Sequence, residues 1–192
     1  AHKLTMAWQG NNFNNLLSRI KLRIRPKLKS RGYQLKAQVK NAAVLILLVK
    51  AEQPYFLLTY RSSHLKHHAN QVCLPGGRQD IGESLFATAL RETEEELNIP
   101  REQINLLTEM ETIETPSGYR IYPFIGYTEQ KTIAKANPSE VQQVVQMTIE
   151  ELLATNFVIQ EYKMGSRNHR VLSFSYQKLL IWGATAAILD QF

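Results

Sequence analysis

Residues 84–97, "SLFATALRETEEEL", constrain this chain more than any other stretch. At 100° per residue, Phe86, Leu90, Thr93 and Leu97 fall on one stripe with Ala89 at its edge, as in an amphipathic helix lying on a core. Asn98 and Pro100 stop it. Glu92, Glu95 and Glu96 gather roughly 130° from that stripe on the same wheel, and Glu94 points elsewhere, towards water. Like charges one turn apart cost a helix a few tenths of a kcal/mol per pair, and no lysine is interleaved to relieve them. A solvated acidic face is one reading. The other is that a hard divalent cation with oxygen ligands, Mg2+ above all, sits among the carboxylates.

The rest of the sequence predicts a sheet for that helix to lie on. "AAVLILLV" (42–49) is too short to span a membrane and reads as a buried strand. Residues 54–61 are its expected hairpin partner. Further strands are expected at 104–114, 119–127, 157–163 and 171–176. "NPSEVQQVVQM" (137–147) opens with turn chemistry and continues as a strand, with a short helix at "TIEELLA". Short helices are expected at 13–22 and, Ala-rich, at 178–190, where Trp182 would fill core. Strands joined mostly as hairpins, with helices on both sides, predict an α/β sandwich on a mixed sheet. At 192 residues, with no repeat or linker, the expectation is one domain over 1–192 with a basic segment over about 1–40.

Charge is unevenly placed. Residues 1–50 hold 11 Lys/Arg and no Asp/Glu, and 51–192 hold 12 against 17, so +11 and −5 make the net +6. A basic arm such as "RIKLRIRPKLKSR" (19–31) suits polyphosphate more than nucleic acid. The alternative is an amphipathic segment packing Ile20, Leu22 and Ile24 on the domain. One cysteine, Cys73, excludes an internal disulfide framework and fits a reducing cytoplasm. The first residues lack the charged-then-apolar pattern of a signal peptide.

The loop before the helix sharpens the cation reading. "GGRQDIGE" brings Gly76 and Gly77 after Pro75, where backbone can approach a ligand closely; Glu83 and Arg91 follow at fixed intervals. Gly77, Glu83, Arg91, Glu92, Thr93, Glu95, Glu96, Asn98 and Ile99 resemble the Nudix box, G-x5-E-x7-R-E-U-x-E-E-x-G-U with U bulky and apolar. Thr93 departs from the apolar residue but keeps a methyl. Asn98 replaces the glycine that ends the helix, and asparagine is the next best residue for a left-handed cap.

The resemblance implies a Nudix-type α/β/α sandwich with a mixed β-sheet, and hydrolysis of a diphosphate linkage in a nucleotide derivative. It implies Mg2+ or Mn2+ held by Glu92, Glu95 and Glu96, with Glu83 a further ligand or simply the partner of Arg91. Any of Glu95, Glu96 or Glu140 in "NPSEV" is then a candidate general base, and Glu140 alternatively a ligand. Upstream, "LLTYRSSHLKHHANQVCLPGG" (57–77) is similar to the additional signature of the coenzyme A pyrophosphatase branch, matched at Leu57, Leu58, Thr59, Ser62, Pro75, Gly76 and Gly77. Lys66 stands for an arginine, keeping charge but losing the bidentate fork. That branch implies coenzyme A as substrate, with Arg61, Lys66, His67, His68 and the basic arm as candidates for its extra phosphate. A homodimer is left open. His64, His67 and His68 lack a fourth zinc ligand at a standard interval, and Cys73 has no base beside it in sequence.

Overall fold

A computed structural model describes residues 13–24, 39–66, 68–130, 133–164 and 167–192. Most of the basic arm and His67 lie outside the described residues. The apolar run folds as β1 (Lys40–Val49), pairing antiparallel with β2 (Tyr55–Arg61) as the hairpin reading requires. β3 (Val72–Cys73) and β4 (Gly76–Arg78) bracket the "LPGG" turn, β4 against β1. Helix α2 (Leu85–Leu97) is followed by a 3-10 turn, Arg101–Gln103.

Strands β5 (Asn105–Glu109), β6 (Ile113–Glu114) and β7 (Tyr119–Thr128) come next, so the single strand expected over 104–114 is broken in two. Met110 sits buried in the break, its N–H bonded to Pro123 O. β7 runs parallel to β1 from Lys40↔Tyr119 to Val49↔Thr128. A central strand with a parallel neighbour is covered on both faces, which is why β1 reads as a continuous apolar run.

β8 (Val141–Thr148) joins the sheet beside β2, and Thr148 caps α3 (Ile149–Leu153) in a capping box with Glu151. The sheet is therefore mixed, in the order β3-β2-β1-β7-β5, with β4, β6 and β8 pairing off that path. A second sheet holds β9 (Val158–Met164), β10 (Arg167–Tyr176) and β11 (Leu179–Trp182).

Leu45, Leu47 and Val49 pack on one face with Ala89 and Leu97 of α2; Ile46 and Leu48 pack on the other. That second face is covered by α1 (Phe13–Arg23), through Phe13, Leu16, Leu17 and Ile20, and by α4 (Gly183–Leu189). The alternation along β1 thus produces helix–sheet–helix layering. Ile24 is buried as expected, but Leu22 is largely exposed.

The C-terminus differs from its expectation. Gln177 and Lys178 both adopt positive φ, 48° and 65°, and Tyr176 pairs with Leu179, so the two residues make a tight hairpin turn. The expected helix over 178–190 is therefore a strand followed by a helix of seven residues. Trp182 lies at the strand end, 43% exposed rather than in the core. No helix among the described residues is long and apolar enough to cross a membrane.

Candidate active site

Helix α2 is set by its caps. Ser84 Oγ accepts from Ala87 N at 3.1 Å, and Asn98 takes the left-handed cap at φ 54°, its N–H bonding Glu94 O. The buried side is built from small residues, Thr88, Ala89 and Thr93, which let the helix approach the sheet closely. Thr93 Oγ1 donates to Ala89 O at 2.7 Å, so its buried hydroxyl is satisfied within the helix. Phe86 and Leu90 are only half-buried at the edge, with Phe86 against Phe124 at 5.4 Å.

Glu96 is the departure from the wheel. It does not share an exposed face with Glu95 but is 1% exposed, on the side facing β4. Two groups compensate that burial: Gly76 N donates to Oε2 at 3.2 Å and Arg61 Nη1 to Oε1 at 3.0 Å. Burial still dominates, raising the Glu96 pKa to about 8 against the opposing pull of Arg61. Glu92 is raised by burial too, with Arg91 opposing.

Glu140, at the start of β8, completes the constellation. Among the described residues, Glu92, Glu96 and Glu140 each present a ligand atom within 4.8 Å of the others. The remaining candidates sit elsewhere. Arg91 Nε donates to Glu83 Oε1 at 3.0 Å and its Nη2 to Glu83 Oε2 at 3.2 Å and Arg78 O at 3.1 Å, while Nη1 reaches Glu92 at 2.9 Å and Glu95 at 3.3 Å. Arg91 therefore laces the loop to the helix. Its bonds, first of all, hold the Glu83 carboxyl below the usual range. Glu83 is bound to Arg91 and Thr88, and Glu95 is half-exposed at the rim beside Arg91; neither joins the trio.

Gly77 packs so close to Glu92 that a Cβ there would strike its carboxylate. Lys66 is exposed in the loop after β2. His64 Nε2 lies 2.9 Å from Ser139 O, and His68 Nδ1 lies 3.0 Å from Gln71 Oε1. Burial pushes the Cys73 thiol up to about 11, so it stays protonated at neutral pH.

Sequence reasoning missed Asn137. Its N–H donates to Glu96 O at 2.9 Å and its Nδ2 to Glu95 O at 3.1 Å, satisfying carbonyls that the end of a helix leaves open. Its own carbonyl accepts from Glu140 N and Val141 N, and its Oδ1 from Ser139. One residue thus ties Glu96 on α2 to Glu140 at the start of β8. The signal was the Asn-Pro turn, which reveals a turn but not its partner. Asn137→Ala is expected to weaken Mn2+ binding by about tenfold, as removal of supporting groups around metal ligands does. A calorimetric Mn2+ titration checks this, and unchanged affinity would show the Asn137 side-chain bonds to be dispensable beside its backbone ones.

The donor set fits a hard divalent cation. Its atoms are all carboxylate oxygens, and burial otherwise leaves two of the three acids resisting ionisation. A pH prediction follows from the raised Glu96 pKa. The native state keeps the Glu96 proton after the unfolded chain has lost it, so this stability is full below the ordinary carboxylate range. It falls as pH rises and is gone above about 8. A bound cation replaces the proton, so Mg2+ should raise the melting temperature more at pH 8.5 than at pH 5.5. Calorimetric scans with and without Mg2+ measure it; an equal Mg2+ effect at both values would count against the site.

The NUDIX domain profile matches residues 39–167, well over half of the chain. The chain belongs to the Nudix family. Relatives of this Nudix chain include proteins named "Uncharacterized Nudix hydrolase NudL". The one from Photorhabdus laumondii is 34% identical over 182 residues, covering 94% of this chain and 95% of its own. The one from Yersinia enterocolitica is 37% identical over 155 residues, covering 80% of each. Among solved structures, a C. elegans Ap4A hydrolase binary complex is 25% identical with a TM-score of 0.51, covering 59% of this chain and 83% of that one. A MutT/nudix family protein from Enterococcus faecalis, 16% identical with a TM-score of 0.50, shares the fold over 90% of this Nudix chain and 58% of its own.

Proposed function

We propose that the chain is a divalent-cation-dependent diphosphatase acting on coenzyme A or its acyl derivatives, releasing 3′,5′-ADP and 4′-phosphopantetheine or its acylated form. The observation that carries the hydrolase reading is the convergence of Glu92, Glu96 and Glu140 within 4.8 Å beside a glycine-lined loop. Hydrolase names among its relatives agree with it. The coenzyme A assignment rests on the 57–77 signature.

Glu92, Glu96 and Glu140 would hold Mg2+ or Mn2+. Such an ion neutralises phosphate oxygens and lowers the pKa of an attacking water. Glu140, in the turn before β8 rather than on the helix, is the candidate to take the water proton through hydrogen-bond reach. The water oxygen bonds to one phosphorus, the P–O–P bridge to the other breaks, and the released phosphate carries the bridging oxygen. Arg91 fixes the loop by holding Glu83, Glu92 and Glu95 together. Arg61 and Lys66, with His67 and the basic arm, would meet the anionic substrate. A second reading, cleavage of a dinucleoside polyphosphate, is favoured by the likeness to the Ap4A hydrolase.

Side-by-side assays of coenzyme A, acetyl-coenzyme A, ADP-ribose, NADH, nucleoside triphosphates and diadenosine tetraphosphate, with Mg2+ and Mn2+ in turn, test the proposal. Coenzyme A should be cleaved fastest. Rapid cleavage of another compound with coenzyme A untouched would overturn the substrate assignment and leave the chemistry standing.

A further inference from the structure

Both oxygens of Glu96 are already engaged, one by Gly76 N and one by Arg61. For Glu96 to serve a cation, the guanidinium 3.0 Å away must yield, since like charges on one carboxylate repel. The Gly76 bond is the fixed one. Gly76 pairs with Val44 in the sheet, and its backbone lies directly against Ala43 O. The Arg61 bond is made by a side chain alone. Arg61 ends β2 at a register irregularity against β8, a feature that re-aims side chains. Its Nε is buried with no hydrogen-bond partner among the described residues. An orphan buried donor is costly, so this pose leaves the guanidinium incompletely satisfied. A phosphate oxygen pair is the acceptor that its planar fork matches.

We propose that Arg61 is an exchangeable partner of Glu96: it occupies Oε1 until a divalent ion takes that carboxylate, then turns its fork to the diphosphate. Metal and substrate binding are thereby coupled through one side chain. The exchange rests on the reading of the trio as a metal site, and it adds a competition that the reading alone does not contain. A guanidinium that only positioned Glu96 would help the metal; one that is exchanged opposes it until substrate arrives.

Calorimetric titration with Mg2+ alone, at pH 9 where protons compete least, separates these. Arg61→Gln should bind Mg2+ roughly tenfold tighter than wild type, the scale of releasing one charge-assisted hydrogen bond. Its KM for the diphosphate substrate should rise by about tenfold on the same scale. These opposite shifts are not what a structural defect produces. If Arg61→Gln does not fold by circular dichroism, Arg61→Met, which also removes the charge while keeping a long side chain, should still bind Mg2+ measurably tighter. Unchanged or weaker Mg2+ binding in the folded variant, with wild type binding normally, overturns the exchange alone. Failure of wild type and variant alike to bind Mg2+ overturns the metal-site reading, and the exchange with it.

Discussion

Replacing Glu96 with glutamine is expected to cut kcat by about 10²-fold or more, the scale of losing one key charge-stabilising group, while the fold stays intact. The amide is isosteric and still offers an oxygen to Gly76 N–H, so the contact that positions the loop survives. What is lost is the negative charge that Glu92 and Glu140 need beside them to hold a cation. Thermal stability without metal should fall, because the amide NH2 then faces the Arg61 Nη1 donor and that hydrogen bond is lost. Steady-state kinetics with saturating Mg2+, paired with a melting curve, provide the check. Turnover within a few-fold of wild type would remove Glu96 from the machinery.

The second large effect separates two adjacent glycines. Gly76 adopts φ 155°, and a Cβ there would collide with Ala43 O and Val44 Cα, which are backbone of the central strand. Gly76→Ala should therefore cost about 3 kcal/mol or more of stability, from strain and overpacking together. At Gly77 the obstacle is only the Glu92 carboxylate, the far end of a flexible side chain. Gly77→Ala should melt within a few degrees of wild type, as most changes outside the core do. It should nonetheless bind Mn2+ about tenfold or more weakly, because Glu92 is pushed out of the trio. Equal stability losses in the two variants, or normal Mn2+ affinity in Gly77→Ala, would contradict the close packing of loop and carboxylate.

Much of this site was legible in the sequence because it is local. The helix, its left-handed Asn98 cap and the Arg91–Glu83 pair all follow from residues within one loop and one helix, and each is found. The spacing of the glutamates marked Glu92, Glu95 and Glu96, of which Glu92 and Glu96 converge with Glu140 while Glu95 stays at the rim. Glu96 leaves the exposed face because two groups 20 and 35 residues earlier, Gly76 N and Arg61, meet it in the fold. Glu140 enters because Asn137 pins its turn to the end of α2. Both depend on tertiary partners that periodicity does not encode.

The same limit explains the C-terminus. Gln177-Lys178 carries none of the glycine or asparagine that flags a two-residue hairpin, so an Ala-rich tail reads as one helix. The strands were clearer. An unbroken apolar run predicts a strand covered on both faces, and β1 is that strand, with α2 on one side and α1 and α4 on the other.

The claim beneath all of this is that Glu92, Glu96 and Glu140 form a cation cradle. Crystals grown with Mn2+ and examined by anomalous scattering test it most directly. The account predicts an anomalous peak coordinated by those three carboxylates, at distances of about 2.0–2.5 Å typical of oxygen ligands to hard divalent ions. A peak elsewhere, or none at the trio in an enzyme that still turns over with Mn2+, would contradict it.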